Sequence, residues 1–358
     1  MPLKSRWSVD IPVISLPSLI LGSPDDELPD TPAYYDTEAP ESLQLSLREF
    51  ALWSRRVAAG LLKAGLQQQD RVLVYSGNNL FFPVVFMGVI MAGGSITTAN
   101  PAFVARELAH QLSDSKPRFV LLAEGSLETA LQAARMTDYD PHNMFIFDDA
   151  PLLNVDTARD VGMVRHWKHL IANPQQGKAF RWEEGSTMEF VQRTVAILYS
   201  SGTTGAPKGV EITHYGLVAN CCQLNFLYNL DPRFASDSQN SRGQRALCML
   251  PMYHGLGLLQ FSTVFLYRRI PVYIMKRYSL QTMLQNVQRF RISELLLVPP
   301  MAVALAKSPE AKSGRFDLSS VHKVGCGAAP LSREICAELE KLWPNGQVNV
   351  KQGWGMTE

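Results

Sequence analysis

Apolar and polar positions alternate in blocks along most of the chain. Residues 46–49 read Ser-Leu-Arg-Glu, a capping box. Phe50, Trp53, Val57, Leu61 and Ala64 then recur on one helical face until Gly65 ends the run. Residues 71–76 form a short β-branched, apolar run that predicts a buried strand. Residues 79–92 predict a helix, 95–98 a strand, and 100–101 a turn into a helix with Leu108 and Leu112 four apart. Strands over 118–122 and 144–147 extend this alternation. A second one follows, with strands over 246–250, 272–274, 294–298 and 323–325 and helices over 215–230, 256–266, 280–290, 301–307 and 332–342. Strands alternating with helices predict α/β layers around largely parallel sheets. The expected division is an N-terminal arm over 1–40, rich in proline and acid and laid over the first lobe, a first lobe over 41–190 and a second over 191–358.

Composition narrows the class. Charged residues are 19% and hydrophobic ones 46% of 358, which describes a globular chain. A formal net charge of +1 gives no basic stripe for nucleic acid and no patch for a membrane surface. Lys4 and Arg6 precede an apolar stretch over 11–21, but Asp10, Pro12 and Pro17 interrupt it, so a secretory signal is not expected. The uncharged run over 78–105 contains Pro83, Gly93, Gly94 and Pro101 and reads as a buried helix and turns, not as a transmembrane segment. Cys221, Cys222, Cys248, Cys326 and Cys336 lack zinc spacing and are expected to be reduced thiols of an intracellular protein. His166 and His169 are helically spaced without nearby ligands and are read as part of a solvated face.

The chemistry concentrates at residues 195–214. An apolar run at 195–199 feeds a loop with four hydroxyls (Ser200, Ser201, Thr203, Thr204) and three glycines (Gly202, Gly205, Gly209), with Lys208 near its end. Glycines admit backbone conformations in which successive N–H groups turn inward as an anion nest, Pro207 stiffens the exit, and Lys208 adds a full charge. This is not a Walker A loop, which requires Gly-Lys-Ser/Thr opening a helix. Residues 210–213 predict a second strand, with Thr213 as the N-cap of the next helix.

The stretch YSSGTTGAPKGV at 199–210 closely resembles the signature loop of the adenylate-forming superfamily, whose members include acyl-CoA synthetases, 4-coumarate–CoA ligases, luciferases and peptide-synthetase adenylation domains. LPMYHGLGL at 250–258, GCGAAPL at 325–331 and QGWGMTE at 352–358 agree in the family's order. The texture is most similar to the 4-coumarate–CoA-ligase-like branch. The resemblance implies ATP, Mg²⁺ and coenzyme A as reactants of an acid–CoA ligase acting on a small carboxylic acid. It implies a large domain of two layered αβ lobes, incomplete at the C-terminus and without its small lid domain.

By the same resemblance, residues 200–208 hold the β- and γ-phosphates, Thr357 contacts phosphate and Glu358 holds Mg²⁺. Trp354, within Gln352, Gly353, Gly355 and Met356, stacks on adenine, and Ala328, Ala329 and Pro330 line the opposite wall. His254 borders the acyl carboxylate and gates the path to the thiol, with catalytic roles for His254, Lys208 and Thr357. Arg277 matches a basic position that contacts coenzyme A phosphate. Gly255, Leu256, Gln260 and Ala328 face the acyl group, and an aliphatic Leu256 removes a hydroxyl partner, which favours an aryl or aliphatic acid over a hydroxycinnamate.

The family pattern continues past Gly-Met-Thr-Glu with a ribose-binding aspartate, a hinge and a lid lysine, none of which lies in these 358 residues, so the chain alone is expected not to complete acyl-CoA synthesis. Two alternatives stay open, an adenylation enzyme loading a carrier protein and a nucleotide-binding module without catalysis. A cytoplasmic or peroxisomal location is expected.

Overall fold

The computed structural model describes residues 5–153, 159–200, 207–232, 243–343 and 346–357. Fourteen strands among them build two seven-stranded sheets. The first contains β3 (Arg71–Tyr75), β4 (Ser95–Ala99), β5 (Phe119–Leu122), β6 (Met144–Ile146), β7 (Arg165–His166), β8 (Thr194–Ser200) and β9 (Lys208–Thr213), in the order β7-β6-β5-β3-β4-β8-β9. The second contains β1 (Pro32–Asp36), β2 (Gln44–Ser46), β10 (Ala246–Cys248), β11 (Val272–Ile274), β12 (Glu294–Leu297), β13 (Lys323–Cys326) and β14 (Val350–Gln352), in the order β14-β13-β12-β10-β11-β1-β2. Only the β1–β2 and β8–β9 pairs are antiparallel.

The alternation of side chains along a strand decides which core each residue joins. In β3, Val72 and Val74 enter the large core that runs between the sheets, while Leu73 and Tyr75 join a smaller core on the outer face with Leu108, Leu112, Val120 and Leu122. Both faces are covered, which is why these strands read as continuous apolar runs. The helix Phe82–Met91 is buried on every side and lies within the large core. The helix Leu47–Lys63 starts at the expected capping box, with Ser46 Oγ accepting from the Glu49 N–H at 3.2 Å and Glu49 Oε2 accepting from the Ser46 N–H at 2.8 Å. Phe50, Val57 and Leu61 face inward as their spacing requires.

Three features depart from the expected layout. The N-terminal segment is only in part an arm over the first lobe: Ser18 accepts from Trp182 Nε1–H at 3.2 Å and Asp25 pairs with Arg181 at 2.6 Å, but β1 and β2 pair beside β11, and Tyr34 donates to the Phe261 carbonyl at 2.9 Å. Past residue 190, β8 and β9 return to the first sheet, so the sheets exchange segments across the chain division. His166 is not on a solvated face: it is fully buried at the end of β7, its Nε2 2.9 Å from Asp148 and its Nδ1 accepting from the Lys168 N–H, because the segment forms a strand followed by a single 3-10 turn, Trp167–Leu170, not an α-helix. His169 is exposed and lies 3.3 Å from Asp160. All five cysteines are free.

The sheets are tied by polar contacts at the ends of their strands. Asn78, after β3, donates through Nδ2 to the Leu250 carbonyl at 3.0 Å and the Met275 carbonyl at 3.3 Å, and accepts from the Met252 N–H at 2.8 Å. Thr98 donates to the Tyr253 carbonyl at 2.6 Å. Lys276 lies 3.0 Å from both Asp36 and Asp149, two buried carboxylates. Burial pulls the Lys276 pKa down, but Asp149 and Asp36 outweigh it, and the ammonium is held charged.

Candidate active site

The expected phosphate loop joins β8 to β9, and its two rims are in place. Ser200 is the register partner of Lys208, and Tyr199 that of Gly209. Ser200 is half-buried and Lys208 exposed at the mouth of the hairpin. Ser201, Gly202, Thr203, Thr204 and Gly205 lie outside the described residues, as does Glu358. A Cβ on Gly209 would sit 2.9 Å from Ile197 and 3.3 Å from the Tyr199 ring, so the tyrosine lies across a position that only glycine leaves open.

The helix Ala105–Ser115 braces both rims. Tyr199 donates its hydroxyl to the Asp114 carboxylate, and His110 Nε2 lies 3.1 Å from the Pro207 carbonyl oxygen. Burial, and then Asp114, pushes the Tyr199 phenol well up, so it remains a donor. Sequence reasoning missed this brace, since residues nearly a hundred positions away leave no local pattern.

His254 caps the short helix Gly255–Leu259 at the junction of the two sheets and is exposed. The preceding residues 250–253 are those held by Asn78 and Thr98. The helix turns tightly back on them, because a Cβ on Gly257 would collide with the Pro251 carbonyl oxygen. A Cβ on Gly255 would lie 3.5 Å from Leu198 in β8, which sets this helix beside the strand leading to the phosphate loop. Gln260 opens a π-helical turn, Gln260–Val264, and its Oε1 is buried with no hydrogen-bond partner among the described residues. An unpaired buried acceptor inside a π turn marks a place where a donor from a ligand would be favourable.

The loop 327–331 leaves the C-terminal end of β13, where ligands of open α/β sheets collect. The Gly327 N–H donates to the Leu297 carbonyl at 3.1 Å, and Ala328 takes a left-handed conformation with φ 72°. A Cβ on Gly327 would be 3.3 Å from Leu256 and 3.8 Å from the Gly353 carbonyl oxygen. The fold therefore brings together three of the four motifs, at Leu256, Gly327–Ala328 and Gly353. Ala328, Ala329 and Pro330 are exposed.

Gln352 acts as a clasp. Its Oε1 accepts from the Leu331 N–H at 2.9 Å, and its Nε2 donates to the Leu331 carbonyl at 3.0 Å, fixing the 327–331 loop to β14. Beyond it the chain is extended. Trp354 is 89% exposed and Met356 62%, with Gly355 exposed and Thr357 half-buried. So large an open indole is a ready stacking surface. Arg277 follows Lys276 at the end of β11 and is exposed, without a contact to the other site residues. Among the described residues there is no group of three His, Cys, Asp or Glu side chains that could hold a metal. Of the pair expected to meet phosphate and Mg²⁺, the phosphate contact Thr357 is described, and the Mg²⁺ ligand Glu358 lies outside the described residues. No described helix is long and apolar enough to cross a membrane.

Known proteins share this arrangement. The AMP-binding enzyme family matches residues 25–358. Peroxisomal OPC-8:0-CoA ligase 1 of Arabidopsis thaliana is 30% identical over 332 residues, which cover 91% of this chain and 54% of that protein. A 4-coumarate–CoA ligase of Pinus taeda is 32% identical, over 93% of this chain and 56% of its own length. The chain thus spans about half the length of these curated relatives. In fold it superimposes on a long-chain-fatty-acid-CoA ligase from Archaeoglobus fulgidus with a TM-score of 0.80 at 20% identity, covering 98% of this chain and 66% of that one. The match over nearly the whole sequence shows that this chain belongs to the AMP-binding enzyme family.

Proposed function

We propose that this chain carries the nucleotide and acyl sites of an ATP-dependent acid–CoA ligase, which joins a carboxylate to the α-phosphorus of ATP, releases pyrophosphate and passes the acyl group to coenzyme A. The observation that carries the reading is the convergence of Leu256, Gly327 and Gly353 at the end of β13, next to a helix whose Gly255 abuts the strand that leads to Lys208. The match to proteins named as CoA ligases supports the thiol acceptor.

In this reading Lys208 meets phosphate charge, and Trp354 stacks on adenine opposite the Ala328–Ala329–Pro330 wall. Thr357 would contact phosphate and Glu358 would hold Mg²⁺, which would neutralise charge on the phosphates. His254 borders the acyl carboxylate, with Leu256 and Gln260 lining the acyl pocket. The apolar Leu256 suits an aryl or aliphatic acid, and the unpaired Gln260 oxygen gives that pocket one acceptor. Arg277 is assigned to coenzyme A phosphate. Five free thiols fit a cytoplasmic or peroxisomal setting.

The test is ATP titration by calorimetry of the parent chain and Lys208→Ala. We expect weaker binding in the variant with an unchanged unfolding midpoint, since an exposed lysine makes no core contact. Equal affinity would refute the phosphate assignment. Acid-dependent ATP–pyrophosphate exchange over a panel of aryl and aliphatic acids then separates an adenylating site from one that only binds nucleotide.

A further inference from the structure

A cavity of about 230 Å³ opens at the other end of the first sheet, where β3, β4 and β8 begin. It is separate from the nucleotide site: β9 runs six residues, roughly 20 Å, from Lys208 at one end to Thr213 beside the cavity. Its lining is mixed: Leu62, Leu66, Met91 and Phe190 supply apolar surface, and Gln67, Gln68, Gln69 and Glu183 polar surface.

Among its polar residues, His214 and Arg193 are an imidazole and a guanidinium set side by side. His214 is 5% exposed, its Nδ1 accepts from the Leu16 N–H at 3.1 Å, and its ring stacks on Phe190 at 5.2 Å. Because Nδ1 is the acceptor, the ring proton belongs on Nε2, which has no hydrogen-bond partner among the described residues. Arg193 sits beside it, its backbone carbonyl accepting from the His214 N–H at 3.3 Å. Its guanidinium lies 4.4 Å over Phe190 and reaches Glu183 at 3.1 Å, which spends one of its five donors. Structural histidines this deeply buried normally satisfy both ring nitrogens. Here one N–H faces a cavity that also carries an oriented cation.

We infer that this cavity is a second binding site, for a small monocarboxylate whose oxygens accept from His214 Nε2–H and Arg193 while its apolar body fills the space between Leu62, Leu66, Met91 and Phe190. At 230 Å³ the cavity is below the roughly 300–1,000 Å³ of sites for drug-sized ligands, which limits the occupant to about ten non-hydrogen atoms. The inference does not depend on the chain's activating any acid.

The test uses 4-fluorobenzoate, observed by fluorine NMR as the purified chain is titrated. Saturable broadening is expected at about 1 mM or below. Arg193→Met should weaken it at least about tenfold. Leu62→Trp fills the space from a 43% exposed position and should abolish it without disturbing His214. His254→Ala, at the acyl pocket, should leave unchanged the part of the binding that Arg193→Met and Leu62→Trp remove. Absence of saturation up to about 10 mM would overturn the site. So would binding that survives both Arg193→Met and Leu62→Trp, and loss of binding in His254→Ala alone would assign the probe to the acyl pocket instead.

Discussion

Single residues carry much of the burden at both ends of the first sheet. Gly257 is the strictest case, because any side chain would strike the Pro251 carbonyl in the segment that presents His254. Gly257→Ala should destabilise the chain by about 1–3 kcal/mol, read as a lowered urea midpoint. His214 is strict in another way. Burial, with Arg193 adding repulsion, pushes its pKa down to about 4 from an ordinary 6.5. Between those values the unfolded chain takes up a proton that the folded imidazole refuses, so stability is lost as pH falls from about 6.5 towards 4. The loss is on the order of 3 kcal/mol. Unfolding midpoints at about pH 7 and pH 4.5 should differ by less in His214→Phe than in the parent, and an equal difference would show that another group governs the acid limb.

At the scale of elements, the β8–β9 hairpin depends on a helix that the sequence does not advertise. His110→Ala or Asp114→Ala should each weaken the brace by about 0.5–1.5 kcal/mol and speed amide exchange at 208–210, leaving 71–75 protected. Exchange that changes in both places would point to global loosening. Much of the surrounding architecture was legible. The apolar runs of β3, β5 and β11 are strands buried on both faces. The helix Leu280–Phe290 has the bounds its pattern predicts, since Ser279 accepts from the Thr282 N–H and Arg291 ends it left-handed. What escaped the sequence was short or paired at a distance. β7 is two residues long, β1 hides in a proline- and acid-rich stretch, and the helix expected over 256–266 is interrupted by a π turn at Gln260. The motif residues themselves stood out, but Asn78, Thr98, His110 and Asp114, which position them, did not, because a side chain's partner far along the chain imposes no spacing.

Across the whole molecule the two sheets share one apolar core, and Lys276 joins them through Asp36 and Asp149. Lys276→Met would leave two buried carboxylates without their cation and should cost about 3–5 kcal/mol, whereas the exposed Lys312–Glu338 pair should be worth under about 1 kcal/mol. Comparable effects of Lys276→Met and Lys312→Met on the urea midpoint would refute this ranking.

The seating of β1 has a further consequence, for synthesis. Tyr34 pairs with Val272, a partner that emerges from the ribosome some 240 residues later. At about 5–20 residues per second that is a wait on the order of ten to fifty seconds. During that wait the whole first sheet, β3 to β9, can assemble, while Tyr34 and Leu45 of the β1–β2 pair, both buried in the finished protein, still lack β11 beside them. A nascent chain halted before residue 272 should therefore be a chaperone client through β1 and β2, and one halted well past 274 should not.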